Sequence, residues 1–209
     1  LAVAFWRIMP AEAAGSAAAA IRGDTMPTEP LVVVTGASGL VAKYVIGEFL
    51  KRGYPVRGTV RTLDKADTVR RAMTRLGCDP SQLSFAVADL ERDAGWDDAI
   101  AGAGLVVHTA SPFPIAQPDN ADDVIRPARE GTLRVLKAAT RAQAKRVVLT
   151  SSSVAIFYGS GLPPEHIYSE TDFTDETRAG LTPYIKSKTI AEKAAWQFVK
   201  ETVGAPELA

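Results

Sequence analysis

Tyr184 and Lys188 stand four residues apart in the run "PYIKSK". On a helix that spacing places one side chain above the other. A phenol ordinarily titrates at ~10 and donates protons poorly at neutral pH. Bringing it to ~7 takes about 4 kcal/mol in favour of the phenolate. One ammonium about 4 Å away, in an effective dielectric of ~20, supplies on the order of that amount. Tyr184 beside Lys188 can therefore work as a proton donor. The spacing alone is common and is more often structural than catalytic. It gains meaning from the apolar run before it, Arg146–Thr150 "RVVLT", which leads into Ser151, Ser152 and Ser153. A hydroxyl at the carboxyl end of a buried strand opens where doubly wound sheets bind their ligands.

The second stretch with chemical content is Val34–Lys43, "VTGASGLVAK". Gly36 allows a tight turn at a backbone angle that other residues avoid. Gly39 lets the main chain come close to a pyrophosphate, and Ala42, small where a third glycine is usual, permits close helix–strand packing. The helix that follows offers free N–H groups and the positive end of its dipole. The ligand-facing residues in this reading are Gly36, Ser38, Gly39, Leu40 and Val41. A glycine pair is weak evidence alone, but here a strand precedes it, a helix follows, and a second strand ends about 20 residues on. That strand closes at Val60, and the next residue is Arg61. An acid at this place serves the ribose 2′-OH of NAD, whereas an arginine accommodates the 2′-phosphate of NADP. Arg61 and Lys65 in "VRTLDK" put two cations within reach of one anion, so NADPH is the expected cofactor. The bland alternative is a solvated, charged turn. Arg57, inside the strand, is the weaker phosphate candidate.

These residues need a scaffold. Five β-rich runs are evident: Leu31–Thr35, Pro55–Val60, Leu83–Val87, Leu105–Thr109 and Arg146–Thr150. Continuous apolar runs are the mark of strands buried on both faces. Helical patterns alternate with them. Leu40–Arg52 carries Val41, Val45, Ile46, Phe49 and Leu50 as an apolar stripe, and Gly53 stops it. Further helices are expected at Thr68–Leu76, Trp96–Ile100, Gly131–Gln143 and Thr182–Val203. Alternation of this kind implies an α/β fold, a doubly wound, Rossmann-like parallel sheet with right-handed crossovers.

Composition narrows the remaining classes. Of 209 residues 46% are hydrophobic and 23% charged, the balance of a globular domain with a sizeable core. Lys+Arg and Asp+Glu both number 24, so nothing points to a nucleic acid or an anionic membrane as partner. With one cysteine, Cys78, and two histidines, His108 and His166, neither a disulfide nor a His/Cys metal site is expected. No apolar run approaches the ~18 residues of a membrane span, and a cytoplasmic location is expected. Residues 1–28 read as an Ala-rich, low-complexity extension. Their apolar start, Leu1–Trp6, is too short for a signal peptide, and Met26 stands just before the first strand. Residues 29–209 read as the nucleotide-binding domain. His108 is expected in the packed core, His166 in a loop bordering a substrate pocket, and Trp96 and Trp196 in helix packing.

In order along the chain, "VTGASGLVA", "VADL", "VVHTASP", "VLTSSS" and "YIKSK" resemble the extended branch of the short-chain dehydrogenase/reductase superfamily. The similarity runs from about Leu31 to Val203. "VVHTASPF", "PAREGTLRVLKAA" and "KSKTIAEKAAWQFVKE" resemble the dihydroflavonol reductase, cinnamoyl-CoA reductase and aldehyde/ketone reductase group. The resemblance implies that Tyr184 is the general acid and that Lys188 holds the nicotinamide ribose. It implies that Ser152 binds the substrate carbonyl, with Ser153 as the alternative. Asp89 and Leu90 would lie beside the adenine, and Thr109, Ala110 and Ser111 would follow the cofactor. "LTPYIKSK" departs from the "NWYCYGK" of cinnamoyl-CoA reductases, which argues against that substrate. The family also runs well beyond Ala209, so a substrate-binding region and further strands are expected to be missing, with "PELA" as the start of a sixth strand.

The reading is an NADPH-dependent reductase of an aldehyde or ketone, its partner a small-molecule carbonyl substrate. Three rivals stand beside it. A nucleotide-sugar epimerase shares the motifs but retains NAD, which Arg61 disfavours. A non-catalytic NADPH sensor would tend to lose the Tyr–Lys pair. An inactive truncated protein would lack the substrate pocket.

Overall fold

The computed structural model describes residues 29–112, 120–158, 162–163 and 165–209. The proposed extension at 1–28 lies outside them. Six parallel strands form one sheet in the order β3-β2-β1-β4-β5-β6. They are β1 (Leu31–Val34), β2 (Val56–Val60), β3 (Leu83–Val87), β4 (Ala103–His108), β5 (Arg146–Leu149) and β6 (Glu207–Leu208). The chain builds outward from β1 to β3, returns to the other side of β1 for β4, and builds outward again. β1 and β4 thus flank the point where strand order reverses, the place where open α/β sheets bind ligands. The expected sixth strand in "PELA" is present and pairs with β5, Arg146 opposite Glu207. The same two residues form an ion pair at 2.7 Å.

Burial on both faces follows from the continuous apolar runs. In β1, Val32 and Val34 face one core and Val33 the other, all three fully buried. The first core is closed by α1 (Leu40–Lys51) and α2 (Ala66–Arg75), through Ala42, Val45, Ile46, Phe49, Val69 and Met73. The second is closed by α3 (Trp96–Ile100), α4 (Asp122–Arg141) and α6 (Pro183–Glu201), through Trp96, Ile100, Val135, Leu136, Ala139 and Ala195. A four-residue helix, α5 (Val154–Phe157), follows β5 and has no counterpart in the sequence reading. Among the described residues no helix is long and apolar enough to cross a membrane.

Three expectations are corrected. Val41 is 46% exposed and lies off the apolar stripe of α1, whose buried face is Ala42, Val45, Ile46 and Phe49. Trp196 is 42% exposed, so only Trp96 of that pair serves packing. Helix α4 begins at Asp122 rather than Gly131 and holds Pro127 within it. A proline there forfeits one backbone hydrogen bond. Burial of Val124, Pro127 and Ala128 offsets that loss.

Gly58 sits where β2 is packed tightly from two sides. A Cβ at this position in β2 would lie 2.7 Å from the Cβ of Ala37, which is fully buried, and 3.3 Å from the ring of Phe85. Gly53, after α1, has φ +82° but open space around it. Gly58→Ala should therefore overpack the core and cost roughly 1–3 kcal/mol. Gly53→Ala should cost about 1 kcal/mol from backbone conformation alone. Urea unfolding of both variants checks the order; an equal or smaller loss for Gly58→Ala would show that the α1 side of the sheet yields easily.

Candidate active site

A cleft of about 910 Å³ opens at the carboxyl ends of the central strands. Its near wall is the loop between β1 and α1, with Gly36, Ser38 and Gly39. Its floor is formed by Thr59, Val60, Ala88, Asp89, Thr109, Ala110 and Ser111, and its far wall by the first turns of α4, including Asp123, Val124 and Pro127. Arg61 and Lys65 stand at the end beyond β2. Ten of the residues expected on the cofactor thus share one cavity: Gly36, Ser38, Gly39, Arg61, Lys65, Asp89, Leu90, Thr109, Ala110 and Ser111. The side chains of Leu40 and Val41 do not line it and are 73% and 46% exposed. Any part they play there falls to their main-chain N–H groups.

The glycine loop is shaped by contacts that leave no room for side chains. Gly36 has φ +67°, and a Cβ on it would meet the Cβ of Ala110 at 3.0 Å. Its N–H donates to Thr59 Oγ1 at 3.0 Å, and Ala37 N–H donates to Thr59 O at 2.8 Å. Gly39 N–H closes the turn on Gly36 O at 2.8 Å. Gly39 is the N-cap of α1 and offers no side-chain cap; no acidic residue sits in the first turn. The helix therefore presents its positive end to the cleft uncompensated, the arrangement that favours a bound phosphate. A bare glycine cradle at one end and two cations at the other fit a dinucleotide with a 2′-phosphate. Lys65 also pairs with Asp64 at 3.3 Å. Arg57 is turned elsewhere: its guanidinium donates to the carbonyls of Asp98, Ala99 and Ala101 at 3.3, 3.1 and 2.9 Å and caps the end of α3.

The loop that carries Asp89 and Leu90 is held by residues that the sequence reading did not single out for the site. Trp96 Nε1–H donates to Asp89 O at 2.9 Å, and Arg134 Nη1–H donates to Leu90 O at 2.7 Å. Gly131 in α4 makes space for the Leu90 side chain, since a Cβ there would lie 2.6 Å from Leu90 Cδ2 and 2.9 Å from its Cβ. An arginine or a glycine in the middle of a helix carries no local signal of such a duty.

Tyr184 and Lys188 occupy the first turns of α6. Thr182 caps this helix by accepting from Ile185 N–H at 3.3 Å, and Pro183 takes the first helical position, where its missing N–H costs nothing. Lys188 Nζ lies 5.9 Å from the centre of the Tyr184 ring and donates to Thr150 O at 3.4 Å. Burial pushes the Lys188 ammonium below its usual range, and the Glu192 carboxylate works in the opposite direction. Of the three serines after β5, Ser151 lines a small cavity with Lys188 and donates to Glu192 Oε2. Ser152 Oγ accepts from Val154 N–H at 3.5 Å, Ser153 is the exposed N-cap of α5, and neither lines the described cavities. His166 pairs with Asp172 at 3.2 Å, away from both.

The chain matches the NAD dependent epimerase/dehydratase family over residues 32–206. It is 39% identical over 175 residues to cinnamoyl-CoA reductase CAD2 of Medicago truncatula, covering 82% of this chain and 53% of that protein. It is 37% identical over 176 residues to an anthocyanidin reductase of Vitis vinifera, covering 80% and 51%. Among solved structures it superposes on the yeast methylglyoxal/isovaleraldehyde reductase Gre2, crystallised with NADPH, with a TM-score of 0.74 and 29% identity, covering 85% of this chain and 55% of that one. The chain thus spans about half the length of the curated relatives it matches.

His108 ends β4 directly beneath the cleft and is buried. Thr35 Oγ1 lies 2.7 Å from its Nδ1 and Thr132 Oγ1 lies 3.5 Å from its Nε2. Thr132 spends its proton on Ala128 O at 2.8 Å, so its oxygen is left to accept from Nε2–H, and Nδ1 accepts from Thr35. Burial, and secondarily the charge of Lys188, push the imidazole down from 6.5 to about 3. Because the folded value lies below the unfolded one, the unfolded chain takes up the proton first, and stability is lost as pH falls from about 6.5 towards 3. Between pH 7 and pH 5 this should remove on the order of 2 kcal/mol. His108→Asn should lack that part of the slope whatever its own starting stability. Urea unfolding at the two pH values checks it, and parallel slopes in both proteins would mean that His108 is not the group responsible.

Proposed function

The chain belongs to the NAD dependent epimerase/dehydratase family, and on that premise we propose that residues 29–209 are the nucleotide-binding domain of an NADPH-dependent reductase of aldehydes or ketones. The observation that carries this reading is the single cleft that joins the glycine loop to Arg61 and Lys65. A bare main-chain cradle at the switch point suits the diphosphate. Two cations just past β2 suit a 2′-phosphate rather than a free 2′-hydroxyl. The Gre2 structure, solved with NADPH, supports the same cofactor here.

NADPH, when bound, supplies the hydride. The chain's own residues do the rest. Gly36 and Gly39 bring main-chain N–H groups to the diphosphate, and Arg61 with Lys65 holds the 2′-phosphate. Asp89 and Leu90 border the adenine, while Thr109, Ala110 and Ser111 line the path toward the nicotinamide. Ser152, with Ser153 as its alternative, donates a hydrogen bond to the substrate carbonyl oxygen. Tyr184 delivers the proton that this oxygen takes up as it becomes a hydroxyl. Lys188 holds positive charge beside the Tyr184 ring and toward the nicotinamide ribose.

Fluorescence titration of the 209-residue chain should give a preference for NADPH over NADH of roughly 10- to 150-fold, the worth of a charge-assisted hydrogen bond of about 1.5–3 kcal/mol. Arg61→Ala should lose most of that preference; equal affinities in the parent chain would sink the cofactor assignment. In the longest polypeptide its gene encodes, Tyr184→Phe should keep NADPH affinity and lose carbonyl reduction by about 10²–10⁴-fold. Near-native turnover of a good aldehyde by that variant would place the acid elsewhere.

A further inference from the structure

Lys188 is 8% exposed, and among the described residues its ammonium makes one long hydrogen bond, to Thr150 O at 3.4 Å. A buried ammonium so thinly satisfied is costly unless an opposite charge faces it. It lines a cavity of about 10 Å³ beneath the ends of β4 and β5, room for about one water. Glu192, one helical turn further along α6, lines the same cavity, and the rest of its wall is uncharged, with Thr132, Thr150 and Ser151 as the main polar groups. Among the described residues no other charged group lines this cavity. His108, at the end of β4, does not line the cavity, and burial keeps it neutral above about pH 3. The loop after β5 and helix α4 contribute hydroxyls, and the Tyr184 ring of α6 lies 5.9 Å from Lys188 Nζ without lining the cavity. Glu192 is fixed in turn by Ser151, whose hydroxyl donates to Oε2.

We infer that Glu192 is a positioning residue: it supplies the counter-charge that keeps Lys188 an ammonium, and through Ser151 it ties the serine-bearing end of β5 to α6. Glu192 and Lys188 share the cavity wall without forming a direct ion pair, so the coupling acts across the cavity; its functional meaning rests on the reading of Tyr184 and Lys188 given above, but the coupling itself does not. Ser151 is on this account an anchor rather than a substrate contact. Its engagement with Glu192 leaves the neighbouring serines to meet a ligand. Burial drives Lys188 toward its neutral form and Glu192 opposes that drive, so removing the carboxylate lowers the pH at which the ammonium gives up its proton.

The test is the titration of Lys188 in the 209-residue chain, followed by NMR of lysine labelled at Cε and assigned with Lys188→Arg. Glu192→Gln should move the Lys188 midpoint to lower pH by about one unit or more, while Ser151→Ala leaves it in place. Thermal unfolding reports whether each variant is folded. Should Glu192→Gln fail to fold, Glu192→Asp, which keeps the charge at a greater distance, should show the same shift at smaller amplitude. An unmoved midpoint in the folded variants, or an equal shift in Ser151→Ala, overturns the inference. NADPH affinity read from pH 7 to pH 9 separates it from the functional reading. A moved midpoint with unchanged affinity keeps the Glu192–Lys188 coupling and removes Lys188 from the cofactor site.

Discussion

Everything at the cleft depends on how β1 is stitched to β4. Thr35, the first residue past β1, is fully buried, and each of its polar groups is committed to the other strand. Its N–H donates to Val107 O at 3.0 Å, and its carbonyl accepts from Thr109 Oγ1 at 2.5 Å. Its hydroxyl accepts from Ala110 N–H at 3.0 Å and bonds His108 Nδ1 at 2.7 Å. Buried polar groups of this kind are tolerated only when fully partnered. With the partners in place, the two strand ends are held in register where the sheet changes direction. The glycine loop on one side and the Thr109–Ser111 segment on the other then face each other across a fixed gap.

From that junction the two sides of the sheet take different tasks. The side closed by α1 and α2 builds the glycine-loop wall of the cleft, through Thr59 beneath Gly36 and Ala37, and carries the cations beyond Val60. The side closed by α3, α4 and α6 builds the loop that holds Asp89 and Leu90, through Trp96, Gly131 and Arg134. It also places the charged pair of α6 beneath β5. Positive charge is divided accordingly: solvent-exposed at Arg61 and Lys65 in the cleft, and buried at Lys188 in the small cavity beneath β4 and β5.

The parts of this arrangement legible in the sequence are those with a local signature. Alternating apolar strands, the glycine loop, Arg61 after β2 and the Tyr184–Lys188 spacing all follow rules that act within a few residues. The parts that were not legible depend on contacts between distant segments. Gly58 and Gly131 look like ordinary glycines until Ala37 and Leu90 are brought against them. The early start of α4 is hidden because Pro127 disfavours a helix locally, while the burial that offsets it comes only with the tertiary fold. Glu192 continues a charged helix face in sequence and acquires a role only when β5 delivers Ser151 beside it. Val41 matched a helical stripe by spacing, yet the stripe that is buried is rotated toward Ala42, because the sheet lies on that side.

The contact between Gly36 and Ala110 has a bearing on how this family can diverge. The two positions are 74 residues apart, yet there is space between them for one methyl group and no more, and that methyl belongs to Ala110. A larger residue at either position needs the strand ends to part, which breaks the Thr35 hydrogen bonds as well. Drift at one position is therefore conditional on the other, and the same holds for Ala37 with Gly58 and for Leu90 with Gly131. In an alignment of descendants these three couples would register as covarying columns or as columns that scarcely vary. A transplant of the glycine loop into another Rossmann-like host would have to carry the facing residue with it.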